Sequence, residues 1–169
     1  SRRVAVAALA AAALAGAACG APNDGRSPAA IIEIVDDFGD TLRLAQPAAR
    51  IVSLNPVVTE ALFALGAGPR VVGRTHWDTS PAAALAVPDL GNGLQPNVEA
   101  VLATRPDLIV LYASTGNRAA AAAFHRAGVP TLTMHTDRIA DLPRALHWLG
   151  RAVGDTATAR RVADSVTHS

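Results

Sequence analysis

The chain carries five histidines, one cysteine, 14 carboxylates and 15 basic residues, every one of them arginine. Chemistry would have to come from these and from the serines. The histidines, His76, His125, His135, His147 and His168, are scattered. None forms an H-x-x-x-H pair or joins the cysteine in a cluster, so zinc-type ligand spacing is missing. Ser53 lacks the G-x-S-x-G frame of a nucleophile elbow. No G-x-G-x-x-G opens a helix, and a chain without lysine has no Walker-type phosphate loop. Asp36, Asp37 and Asp40 surround Gly39 without the alternation of a calcium loop, which reads as a polar hairpin tip. An exported α/β hydrolase would need Ser53 or Ser114 paired with His76 or His135. A haem or bare-metal site would rest on the same two histidines. The enzyme signals are weak, and the residues favour binding over bond-making.

Placing these side chains needs a scaffold. The chain has 169 residues, 50% of them hydrophobic, which suffices for one domain or one lobe of a larger protein. A net charge of +1 gives no electrostatic reason to expect a nucleic-acid partner. One cysteine excludes an intramolecular disulfide. The 38 alanines blur periodicity, because alanine sits on any face.

Ile31–Val35 and Thr41–Leu44 read as a β-hairpin closed by D-D-F-G-D. Arg50–Leu54 is a compact apolar strand. Asn55 and Pro56 then open a helix that Gly66 stops. Arg70–Gly73 is a second strand, followed by a loop over residues 74–95. Asn97 caps a short helix that Pro106 ends, and Asp107–Tyr112 is a buried strand. A helix over Asn117–Ala127 leads to a strand at Pro130–Met134. Ile139–Val153 has helical spacing, although Pro143 demands a later start or an irregular first turn. Asp155 caps a last helix, Thr156–Val166. Short strands alternating with helices predict an α/β fold: a parallel sheet of βα units with an N-terminal β-hairpin.

Ligands of such sheets sit beyond the carboxyl ends of the strands. There the sequence places Asn55, the run Arg74-Thr75-His76-Trp77-Asp78, then Tyr112 and Ser114, then His135 and Asp137. Aromatics make up 4% of the chain, so Trp77 and Tyr112 at two strand ends are informative. Aromatics at such mouths bind flat or apolar ligands.

Residues 1–19 have the layout of a secretory signal: Arg2 and Arg3, an uncharged apolar stretch from Val4 to Ala15, then small residues. Cys19 after Gly16-Ala17-Ala18 resembles a bacterial lipoprotein cleavage site, where the cysteine is lipidated; cleavage after Ala15-Gly16-Ala17 is the alternative. Residues 20–30 have linker composition.

Three segments, in order, carry a resemblance: S-L-N-P-V-V-T-E ahead of F-A-L-G, N-V-E ahead of R-P-D-L-I-V, and A-G-V-P before the next strand. From about Ile31 onward the chain resembles the periplasmic substrate-binding proteins of ABC importers for vitamin B12 and ferric siderophores. The resemblance implies a non-catalytic protein with two α/β lobes joined by a long helix and the ligand between them. Residues 31–154 would be the N-terminal lobe and 155–169 the start of the connecting helix, with the second lobe outside this chain, as in a fragment or truncated product. Glu99 matches the family's exposed glutamate that docks on permease arginines. Trp77 and Tyr112 match aromatic positions at the ligand, and Asn55, Thr59 and Glu60 match the first loop. Arg74 at the cleft mouth would pair with an anionic chelate, and His76 extends the same loop. The implied partners are the ABC permease, a metal-chelate small molecule, and the membrane if Cys19 is acylated. No cofactor beyond that ligand is implied.

Overall fold

The computed structural model describes residues 31–167. The signal-like segment, Cys19, the linker and His168 lie outside the described residues.

Strands β1 (Ile32–Val35) and β2 (Thr41–Leu44) form the antiparallel hairpin. Strands β3 (Ile51–Leu54), β4 (Val71–Gly73), β5 (Leu108–Tyr112) and β6 (Thr131–Met134) form a separate parallel sheet in the order β4-β3-β5-β6. Every residue of β3 and β6 is buried, as in parallel strands covered on both faces.

Helices α1 (Pro56–Ala64), α2 (Val98–Ala103), α3 (Arg118–Arg126), α4 (Leu142–Val153) and α5 (Thr156–Thr167) connect and follow these strands. Alternation along the strands sorts the core into two layers. Ile51, Val110, Leu132 and Met134 pack with α1, α4 and the hairpin. Val52, Leu54, Ile109 and Leu111 pack with Val101 of α2 and Phe124 of α3.

The caps follow the residues named from sequence. Asn55 Oδ1 accepts from Val57 N at 3.1 Å, with Pro56 in the first turn of α1. Asn97 Oδ1 accepts from Ala100 N at 3.1 Å. Gly154 ends α4 in the left-handed region, φ 78°, where glycine carries no side-chain penalty.

Several boundaries shift by a residue from the sequence reading, and two shifts involve 3-10 turns. Ile139–Asp141 is a 3-10 turn, and α4 begins only at Leu142, which puts Pro143 in the first turn. There its missing N–H costs nothing. Arg70 belongs to a 3-10 turn, so β4 begins at Val71. Among the described residues, no helix is long and apolar enough to cross a membrane.

Candidate functional site

The chain runs from β3 outward to β4, then crosses back to place β5 on the other side of β3. The carboxyl ends of β3 and β5 are therefore a topological switch point, where outgoing loops diverge and leave a crevice. A depression of about 200 Å³ lies there, lined by Leu54, Asn55, Pro56, Thr75, Trp77, Asn92, Gly93, Leu94 and Tyr112. Its walls are mainly apolar. Trp77 is 65% exposed and Leu94 52%, large apolar side chains left open beside it.

A buried polar cluster fixes the Trp77 wall. The Asp78 carboxylate is fully buried and accepts from the hydroxyls of Thr59 and Thr75, each at 2.5 Å. Ser53 Oγ stands 2.8 Å from the same Thr59 hydroxyl. Thr75 Oγ1 in turn accepts from Trp77 N at 3.2 Å. A buried carboxylate is tolerable only when so satisfied.

Asn117, also fully buried, fixes the opposite wall. Its amide nitrogen donates to the carbonyls of Gly93 and Tyr112, both at 3.0 Å. Gly93 is needed for close approach, since a Cβ there would stand 2.4 Å from the Leu54 carbonyl oxygen.

Of the residues singled out from sequence, Asn55, Trp77 and Tyr112 come together around the depression. Asn55 Nδ2 also donates to Thr136 Oγ1 at 3.0 Å, tying the end of β3 to the loop after β6. His76 is exposed outside this lining, with its ring 4.5 Å from that of Trp77. Arg74 is not grouped with them. It is buried, and its guanidinium donates to the carbonyls of Ala84 at 2.9 Å and Thr75 at 2.8 Å, where it braces the loop after β4. Asp78 is held by threonines and not by Arg74.

His76 and His135 pack on different aromatics: His135 meets the Tyr112 ring edge-on at 6.0 Å. Among the described residues, no group of three or more His, Cys, Asp or Glu is gathered to hold a metal ion.

The Tyr112 hydroxyl donates to Asp137 Oδ1 at 2.5 Å. That bond, with partial burial and the nearby carboxylate charge, raises the phenol pKa above its ordinary value. Glu99 projects from the first turn of α2, exposed and without an ion pair among the described residues. Asn97 does the capping of this helix.

Residues 51–169 match the family profile described as periplasmic binding protein. The chain belongs to the periplasmic binding protein family. It is 32% identical over 171 residues to an uncharacterized ABC transporter substrate-binding lipoprotein, YvrC, of Bacillus subtilis, covering 95% of this chain and 52% of that protein. It is 36% identical over 66 residues to the vitamin B12-binding protein of Vibrio cholerae, covering 39% of this chain and 24% of that one. The solved apo structure of the periplasmic heme-binding protein RhuT from Roseiflexus sp. RS-1 superposes with a TM-score of 0.67 at 28% identity, over 72% of this chain and 47% of that one. The chain thus spans about half the length, or less, of these relatives.

Proposed function

We propose that the chain is the N-terminal ligand-capturing lobe of an exported substrate-binding protein of an ABC importer, and that its ligand is a metal-chelate nutrient. In this reading residues 31–154 are the lobe and 155–169 open a connecting helix. The observation that carries it is the apolar, aromatic-edged depression at the switch point. Trp77 and Leu94 present apolar area to a flat ligand face, and Tyr112 and Asn55 border it with polar tips. Vitamin B12 and haem, named for two of the relatives, are both broad macrocycles around a metal. A corrinoid is the leading ligand; a ferric siderophore would use the same walls.

Haem is the second reading, favoured by the similarity to RhuT. Exposed Glu99 would dock on arginines of the permease, chiefly steering the encounter. An acylated Cys19 would hold the protein at the extracytoplasmic membrane face. No bond is made or broken: the lobe captures, docks and releases.

The test uses Trp77 as reporter in a Trp148→Phe background, since the chain has two tryptophans. Vitamin B12, haem and a ferric siderophore are titrated in turn. Saturable quenching by vitamin B12 supports the corrinoid reading, and quenching by haem alone replaces it with the second. No quenching by any of the three removes the depression as the binding site.

A further inference from the structure

Helices α1 to α4 end where the parallel strands begin, opposite the depression. Arginines collect at that end. Arg50 and Arg70 immediately precede β3 and β4, Arg105 follows α2, and Arg126 and Arg151 lie in the last turns of α3 and α4. Hydrogen bonds tie this end together. Arg50 donates to the carbonyls of Thr104 at 2.6 Å and Arg105 at 2.9 Å. Arg70 donates to the carbonyls of Val153 at 2.8 Å and Ala48 at 3.2 Å.

Few carboxylates stand against this charge. Asp107 is spent on the N–H groups of Ala49 and Arg50, Glu33 on Arg43, and Asp155 on the first turn of α5. Among the described residues, none of these arginines forms an ion pair, and the side chains of Arg105, Arg126 and Arg151 make no hydrogen bond. The opposite end exposes Asp40, Asp89, Glu99 and Asp137 beside Arg118 and Arg138. A net charge of +1 thus conceals a basic end and an acidic end.

Arg105 shows that more than helix termination is at work. Gly66, Gly128 and Gly154 follow α1, α3 and α4 in the left-handed region, as such positions favour. Past α2 the same conformation falls to Arg105, φ 52°, the sole non-glycine at positive φ among the described residues. Glycine would adopt it at less cost. The exposed charge is what arginine adds there.

The chain also enters the fold at this end. Ile32 opens β1 opposite Leu44, and Ala48 N soon afterwards donates to Ala152 O near the end of α4. From Cys19 to Ile31 the chain can span at most about 40 Å. We propose that Arg50, Arg70, Arg105, Arg126 and Arg151 form a membrane-resting surface that holds the anionic headgroups of a phospholipid bilayer. Guanidinium groups pair well with phosphate, and several together give a salt-sensitive attraction to such a surface. The acidic end is repelled, so the depression and Glu99 face away from the bilayer, where ligand arrives. Attachment of this kind is reversible and lets the lobe turn to dock. The tethered orientation rests on the acylated Cys19 of the proposed function; the attraction itself does not.

The test uses the full chain with Cys19→Ser, so that no lipid anchor contributes. Its co-sedimentation with phosphatidylcholine vesicles is compared with that on vesicles containing roughly one-third phosphatidylglycerol, at low and high salt. Stronger partition onto the anionic vesicles, lost at high salt, is expected. Arg105→Gly combined with Arg126→Gln should weaken that partition by at least about tenfold. Arg105→Gly alone should melt no lower than the wild type, because it relieves a left-handed arginine. Arg118→Gln combined with Arg138→Gln removes the same charge from the other end and should leave partition nearly unchanged. Equal partition onto both vesicle types, an unaltered partition in Arg105→Gly with Arg126→Gln, or equal losses in the two double variants overturns the proposal. Trp77 quenching by vitamin B12 that persists without any preference for anionic vesicles would remove this surface alone.

Discussion

The fully buried Asp78 carboxylate accepts a 2.5 Å hydrogen bond from the Thr59 hydroxyl and thereby joins α1 to the loop that carries Trp77. Thr75 completes the arrangement from within the loop, giving a hydroxyl bond at 2.5 Å and receiving the Trp77 N–H. Trp77 is thus an exposed side chain on a rigid base.

Removing that base should be costly. Asp78→Ala strands the buried Thr75 hydroxyl and leaves Thr59 only its Ser53 partner; it is expected to lower unfolding free energy by about 1–3 kcal/mol, measured by urea denaturation. Asp78→Asn keeps the shape and can still accept one bond, so it should lose less. Equal, near-zero losses in both variants would show that the cluster does not hold the loop.

Trp77→Ala should leave stability nearly unchanged, because the side chain is 65% exposed. It should weaken binding of the macrocyclic ligand by about 1–3 kcal/mol, as loss of an aromatic anchor does. Calorimetric titration reads the affinity directly, and an unaltered affinity would take Trp77 out of the site.

Glu99→Arg should impair uptake in cells and leave ligand affinity intact, since Glu99 is absent from the lining of the depression. The defect should lie mostly in the association rate with the permease and shrink as salt rises. A matching loss of ligand affinity would contradict a docking role.

Asp155 accepts from Thr158 N at 2.9 Å at the start of α5. Hydrogen bonds from Thr158, first through its backbone, hold its carboxyl below the ordinary carboxylate pKa. A folded-state pKa below the unfolded one contributes stability that is present above the unfolded value and lost as pH falls through the folded value. Thermal melts of wild type and Asp155→Asn should therefore differ near neutrality and converge in acid. A difference that persists at the acid end would place the effect elsewhere.

The sheet was legible in the sequence because I-V-S-L and L-I-V-L-Y are short, mostly apolar runs set between proline, asparagine and glycine signals. The start of α4 was less so. Ile139 falls in helical register with Leu142 and Leu146, yet it is 75% exposed in a 3-10 turn, so apolar spacing alone misplaced the boundary.

At the site, strand-end logic brought Asn55, Trp77 and Tyr112 together. Arg74, read as a cation at the cleft mouth, is buried and its guanidinium donates to two loop carbonyls. The supports supplied by Asp78 and Asn117 were not legible. Their partners are a helix hydroxyl and two backbone carbonyls, which no spacing rule records. Tyr112 meets Asp137 because β5 and β6 are neighbours, with Tyr112 opposite Met134 in register, and that order emerges only in the assembled sheet.

The most direct measurement is calorimetric titration of the protein with vitamin B12, haem and a ferric siderophore at several temperatures. The account predicts one saturable site for a macrocyclic chelate, vitamin B12 first, with a negative heat-capacity change from burial of the apolar walls. No saturable heat with any of the three would contradict it.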